Sequence, residues 1–325
     1  MNFPGNFYLA AFLGALTTTG VVLPWWRAWC RRLGQMDAPG HRKIHDAAVP
    51  LAGGPAVLTG VLLPLITGAL LLKLGVVQIS DASKIVHGVN RRAVELGVIA
   101  LGAVAITGLG WLDDKIELKP LAKFSGQFLI ALAVALVCKR ITLFVPSLFF
   151  SYAITILWLV TVINAFNFMD NMNGLCAGLG MIGALLFGLI AARDGEYLVA
   201  LTAFLAGGAL LGFLPYNFPR ASVFLGDAGS HLTGYLLAVL AILPHFYSKQ
   251  NPHPLAVLSP LLVLAVPLAD LAWVVVIRTS ARRPFWLGDT NHLSHRLVRA
   301  GLSRPRAVLL IWLLAALIGL LALAL

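Results

Sequence analysis

Charge is what this sequence has least of. Only 11% of its 325 residues are Asp, Glu, Lys or Arg, where a soluble domain carries about 25%. That scarcity excludes an ordinary water-soluble domain. With 59% hydrophobic residues and a mean hydropathy of +0.89, the composition implies a polytopic membrane protein. Cysteine is scarce too. Cys30, Cys138 and Cys176 are scattered, which excludes a disulfide framework and a cysteine-based metal spacing. No positive stretch precedes the first apolar run, Phe7 to Trp26; Arg27, Arg31 and Arg32 come after it. It therefore reads as a first span rather than a signal peptide. Internal repeats and low-complexity tracts are lacking. Acidic residues number 13 against 24 basic ones, a net charge of +11. That balance suits anionic lipid or nucleotide and does not require nucleic acid.

What the chain has in abundance is apolar runs of bilayer-crossing length, about 17–25 residues each. They occupy 4–26, 51–74, 93–112, 121–138, 143–163, 175–192, 197–214, 229–247, 255–277 and 307–325, with Pro146 as a potential break in the fifth. The expected fold is all-α, a polytopic integral membrane helical bundle of about ten transmembrane helices, forming a single domain over 1–325. Most of the 24 Lys and Arg lie in or beside alternate loops at 27–50, 113–120, 164–174, 215–228 and 278–306. The positive-inside rule puts those loops in the cytoplasm and both termini outside.

The same loops hold nearly all the chemistry. The central one reads NAFNFMDNMNGL from Asn164 to Leu175. Asn164, Asn167 and Asn171 share one face if the preceding helix continues, with Asp170 beside it. Amides and a carboxylate at the end of an apolar span are costly unless something polar binds them. Asp113 and Asp114 close the third span, where they meet the negative end of a helix dipole; a divalent cation would offset that penalty. Asn217, Gly226, Asp227 and Gly229 lead into the eighth span, whose N-terminus suits an anion. In the first loop, Arg42, Lys43 and His45 precede the paired Gly53 and Gly54, a combination suited to phosphate. In the last, His292, His295 and Arg296 share a helical face, but a zinc site would lack a third ligand close in sequence. Asp270 stands inside the ninth span, where an ionisable group marks function by default. A transporter would carry its polar groups near the bilayer midplane; here they gather at one face, as in a membrane enzyme with a soluble cytoplasmic substrate.

RKIH…P…GG at 42–54, GWLDDK at 110–115, NAFNFMDNMNGL at 164–175, YNFP…FLGDAGS at 216–230, PLAD at 267–270 and NHLSHRL at 291–297 together resemble the polyprenyl-phosphate N-acetylhexosamine-1-phosphate transferase superfamily (glycosyltransferase 4 family). The resemblance lies on the branch that starts lipid-linked surface glycans, with phospho-MurNAc-pentapeptide transferases as a distant sister and as the alternative activity. It implies transfer of a sugar 1-phosphate, foremost N-acetylglucosamine 1-phosphate, from a UDP-sugar to undecaprenyl or another polyprenyl phosphate, with release of UMP. It implies Mg2+, with Mn2+ as a substitute, an inner-membrane location and a cytoplasmic active site. By position, Asp113, Asp114 and Asp170 match catalytic residues, and Asp227, Asp114 and Asn217 match the metal site. The expected substrate-binding residues are Arg42, Lys43, His45, Asn164, Asn167, Asn173, Asp270, His292, His295 and Arg296, of which Asn164, Asn167, His292, His295 and Arg296 match the family's motifs. Asn173 stands where the family usually has a second Asp, and Ser294 where it usually has a His. Expected partners are the UDP-sugar and the lipid acceptor, not nucleic acid; a homodimer is left open.

Overall fold

The computed structural model describes residues 4–37, 48–75, 88–244, 246, 254–284, 286 and 289–325. Within them twelve α-helices follow in order: α1 (Gly5–Leu33), α2 (Gly53–Lys73), α3 (Ala93–Ile116), α4 (Pro120–Val137), α5 (Leu148–Met169), α6 (Leu175–Arg193), α7 (Tyr197–Asn217), α8 (Gly226–Leu240), α9 (Ser259–Val263), α10 (Ala265–Ser280), α11 (Leu293–Arg299) and α12 (Arg304–Leu320). The only sheet among the described residues is an antiparallel pair, β1 (Met36–Asp37) with β2 (Val49–Pro50), in the register Met36 to Pro50. The all-α membrane bundle is what the composition called for.

Among the described residues eight helices are long and apolar enough to cross a membrane, and a ninth candidate is the pair Leu255–Val263 and Ala265–Ser280, bent by 73°. Two of the about ten expected spans take an unusual form. The ninth is broken because Pro267 has no N–H for the carbonyl of Val263 and its ring crowds that oxygen. The helix stops at Leu264 and restarts with Pro267 in its first turn. The expected eighth span is α8, only 15 residues long. At 1.5 Å per residue the helix itself reaches about 22 Å of the ~30 Å hydrocarbon layer, and the chain runs on to Leu243, whose carbonyl accepts from Lys139 beyond the far end of α4. Every one of its residues except Asp227 is buried. Burial in protein and burial in lipid leave the same apolar signature in a sequence. At the fifth span, Ser147 accepts the N–H of Phe150 and caps α5 just after Pro146. The helix therefore starts at Leu148 and runs on to Met169.

The short helix is the axis of the molecule: α2, α3, α5 and α6 pack around α8. Outside this core, α1 lies against α7 and α2. It comes so close to α7 that methyl groups on Gly208 and Gly212 would strike the carbonyl oxygens of Phe12 and Leu16, a small-residue crossing of the kind that holds membrane helices together. A methyl on Gly110 of α3 would likewise strike the carbonyl of Asp227. That contact sets the end of α3 directly on the start of α8, and it is what builds the site.

Candidate active site

Four helices bring polar side chains to one point. Asp113 and Asp114 come from the last turns of α3, Lys123 from α4, Asn167 from the end of α5 and Asp227 from the first turn of α8. Lys123 Nζ lies 2.6 Å from Asp113 Oδ2 and 2.8 Å from Asp227 Oδ2, and donates to Asn167 Oδ1 at 3.3 Å. Asn167 Nδ2 donates to the other Asp227 oxygen at 2.7 Å and to Ser230 Oγ at 3.0 Å. Asp113 Oδ1 accepts the N–H of Leu118 at 2.8 Å. Sequence reasoning missed Lys123. It stands in the first turn of α4, where a lysine ordinarily snorkels to water, so its placement between two carboxylates left no mark in the sequence.

Asp114 does something else. Its two oxygens accept the N–H groups of Asp227 at 2.8 Å and Ala228 at 3.1 Å. The anion expected at the N-terminus of α8 is therefore the chain's own carboxylate, which leaves Asp114 a poorer metal ligand than expected. Asn217, the other expected ligand, is also committed. Its Oδ1 accepts the N–H of Gly174 at 2.5 Å and its Nδ2 donates to the carbonyl of Val223 at 2.9 Å. That side chain ties the central motif to the loop before α8. The paired glycines make a backbone joint instead of a phosphate cradle. Gly53 and Gly54 donate to the carbonyls of Phe224 and Leu225 at 3.0 and 3.1 Å. Arg42, Lys43 and His45 lie outside the described residues.

The central motif does not present three amides on one face, because α5 ends at Met169. Asn164 donates inward to Gln127 Oε1 at 2.6 Å. Asn171 lies beyond the helix end and accepts from Ser294 Oγ at 2.7 Å. Asn173 Nδ2 reaches the carbonyl of Pro219 at 3.4 Å. Asp170 is half-buried in the turn after α5. Loss of water around it, then the nearby charges of Asp227 and Asp114, push its carboxyl well above the ordinary carboxylate range.

The last loop folds back onto this motif through Asn171–Ser294 and through His292, whose ring meets the edge of Phe168. Asp270 fixes it: one oxygen lies 2.6 Å from His292 Nδ1 and the other accepts the N–H of Leu293 at 2.6 Å. Asp270 is thus the orienting partner of His292 and the cap of α11, a role that could not be assigned from sequence. Buried Arg278 lies over the Phe168 ring at 4.9 Å and donates to Asp289 at 2.9 Å. Burial works against ionisation of Asp289, but its bonds to Arg278 and Asn291 outweigh that and hold its pKa at about 2. His295 is lowered by burial, then by the charges of His292, Arg299 and Arg304. Arg296 stacks on Trp273 at 4.9 Å.

Two cavities meet at the carboxylates. One, of about 810 Å³, is lined by Asp113, Lys123, Asn164 and Asn167 and walled on its apolar side by Phe124, Val160, Leu271, Val275 and Trp286. The other, of about 640 Å³, is lined by Asp170, Asn171, Asn173, Arg220 and Arg304. Asp114 and Asp227 border both. No three of His, Cys, Asp and Glu form a complete metal cage among the described residues. The donor set still fits a hard divalent ion. Asp113 and Asp227 already bracket a positive charge, and Mg2+ typically takes one or two carboxylates and fills its shell with phosphate and water.

The family model described as glycosyl transferase family 4 matches residues 96–245, the segment that supplies Asp113, Lys123, Asn167, Asp170 and Asp227. Among curated relatives, the probable undecaprenyl-phosphate N-acetylglucosaminyl 1-phosphate transferase of Bacillus subtilis strain 168 is 30% identical over 314 residues, covering 94% of this chain and 81% of that protein. The decaprenyl-phosphate N-acetylglucosaminephosphotransferase of Mycobacterium tuberculosis strain H37Rv is 35% identical, covering 88% and 74%. The undecaprenyl-phosphate alpha-N-acetylglucosaminyl 1-phosphate transferase of Escherichia coli K12 is 28% identical, covering 90% and 77%.

Proposed function

The chain belongs to glycosyl transferase family 4, and we propose that it transfers N-acetylglucosamine 1-phosphate from a UDP-sugar to a membrane polyprenyl phosphate, releasing UMP. The observation that carries this reading is the meeting of two unlike cavities at Asp227: one with an apolar wall, one lined by amides and arginines. A lipid phosphate and a nucleotide-sugar need such a pair. The acceptor's prenyl chain lies along Leu271, Val275 and Trp286, and its phosphate reaches Lys123 and Asn167. The donor occupies the second cavity, with Asn171, Asn173, Arg220 and Arg304 around it.

Both substrates are anionic. Two unit charges 4 Å apart repel by about 4 kcal/mol at an effective dielectric near 20, so approach requires cations. Lys123 supplies one. Asp227 and Asp113 would hold Mg2+, with Mn2+ as its substitute: both Asp114 oxygens and the Asn217 oxygen are taken by backbone N–H groups, whereas Asp113 gives only Oδ1 to one. Bound there, the ion would screen the donor diphosphate and stabilise departing UMP. Asn167 orients the Asp227 carboxylate through its 2.7 Å bond. Asp114 holds the start of α8 in place, and the Asp270–His292 pair keeps the last loop seated beside Phe168. An oxygen of the prenyl phosphate attacks the donor's β-phosphorus, and the bond to the UMP oxygen breaks. The reacting face is cytoplasmic, in a bacterial inner membrane.

The test is to incubate purified protein with undecaprenyl phosphate, Mg2+ and a panel of UDP-sugars, and to measure UMP. Release with UDP-N-acetylglucosamine, abolished by a chelator, is the expected result. Release only with UDP-MurNAc-pentapeptide would replace the donor, and flux across liposomes without UMP would replace the enzyme with a transporter.

A further inference from the structure

One turn below the contacts of Lys123, Asn167 and Asp227, the same three helices meet again. Gln127 follows Lys123 by a turn of α4, His231 follows Asp227 by a turn of α8, and Asn164 precedes Asn167 by a turn of α5. These three residues are also bonded. Asn164 Nδ2 donates to Gln127 Oε1 at 2.6 Å and to the carbonyl of Val160 at 2.8 Å. Gln127 Nε2 lies 3.3 Å from His231 Nε2. Gln127 and His231 are both 0% exposed. With its oxygen given to Asn164, Gln127 turns its NH2 group to the ring, so His231 Nε2 accepts and the proton sits on Nδ1. Among the described residues Nδ1 is a buried polar atom with no partner.

Packing alone does not account for this layer. A leucine and a methionine would fill the same space without burying an imidazole and an amide, and one of those buried N–H groups is left unmatched. What hydrogen bonds add, and apolar contacts do not, is a single allowed register. Apolar faces let one helix slide or turn against another at small cost. A bonded trio across three helices does not.

We infer that Gln127, Asn164 and His231 are positioning residues. They lock the rotation and depth of α4, α5 and α8, and so set where the Lys123 ammonium, the Asn167 amide and the Asp227 carboxylate point. Each member of the lower layer lies one turn from a member of the upper one on the same helix, so a shift below becomes a displacement above. The inference rests on the reading of Lys123 and Asp227 as residues that touch substrate.

The experiment measures UMP release and thermal melting for the full-length protein and for His231→Leu, His231→Gln, Gln127→Met, Lys123→Met and Asp227→Asn. In His231→Leu, kcat should fall about 10- to 100-fold, the range for residues that support reacting groups. KM for both substrates and the melting temperature should stay near the parent's. His231→Gln keeps an acceptor for Gln127 and should recover most of the rate, a rescue that a purely space-filling role would not give. The double variant Gln127→Met with His231→Leu should be no slower than the worse single variant, since both cut one link. Unchanged turnover in folded His231→Leu overturns the inference, as does a loss that tracks melting and is not rescued by glutamine. If His231→Leu does not fold, Gln127→Met carries the same test from α4. Full activity in Lys123→Met and Asp227→Asn would instead overturn the site itself.

Discussion

Lys123 is the residue on which the site's electrostatics turn. Its ammonium lies between Asp113 and Asp227; the pair is only partly buried, so its removal should cost less than the about 3–5 kcal/mol of a fully buried one. Lys123→Met should therefore melt below the parent in chelator, regain part of that loss when Mg2+ is added, and lose about 100-fold or more in turnover. Thermal melts with and without Mg2+ check the first two, and indifference to the ion would count against a cation site between those carboxylates. Asp170 makes the opposite case. Its carboxyl is pushed upward, so its ionised form works against the fold. That penalty is absent below the unfolded value of about 3.9 and grows as pH rises toward the folded pKa. Asp170→Asn should accordingly raise the melting temperature of substrate-free protein by a few degrees at neutral pH. The gain should shrink to nothing as the pH falls toward about 4. Turnover should be lost throughout, and a lower melting point at neutral pH would contradict the assignment.

The elements explain which parts of the site could be read in advance. Asp113, Asp114 and Asp227 stood out because carboxylates are rare in an apolar chain and each sits at a helix end. Their division of labour did not, because it depends on Gly110 letting α3 touch the first turn of α8. Only that contact turns Asp114 into the cap of another helix. Lys123 and His231 went unnoticed near the ends of runs read as plain spans, where polar side chains are ordinary; Gln127, deeper in its run, was itself a signal. Asn171 was assigned to the wrong face because the end of α5 cannot be located to a residue from sequence. Asp270 was visible, but its partner lies 22 positions away, across a loop that periodicity cannot trace. Asp270→Leu should strip α11 of its cap and His292 of its acceptor. Hydrogen exchange over 289–299 should then accelerate, while α8 keeps its protection. Equal acceleration in both would mean that α11 is not held by this contact.

At the scale of the molecule, hydropathy found the long helices among the described residues and could not tell lipid-facing from protein-buried ones, which is why the buried axis α8 looked no different from its neighbours. The arrangement does fix where the polar groups lie relative to one another: Asp113, Asp170, Asn217 and Asp227 gather at one end of the bundle. Ser222 is exposed in the loop beside them, and Cys30, Cys138 and Cys176 are buried. A Ser222→Cys variant should therefore react with an impermeant thiol reagent in inverted vesicles and not in intact cells if that end is cytoplasmic; the reverse pattern would turn the topology over. In this mechanism a phosphoryl bond, not a glycosidic one, is made where the two cavities join. The most direct measurement uses UDP-N-acetylglucosamine labelled with 32P at the β-phosphate, together with undecaprenyl phosphate and Mg2+. The label should move into the lipid fraction as unlabelled UMP appears. Label left in soluble UDP while the sugar alone enters the lipid would contradict it.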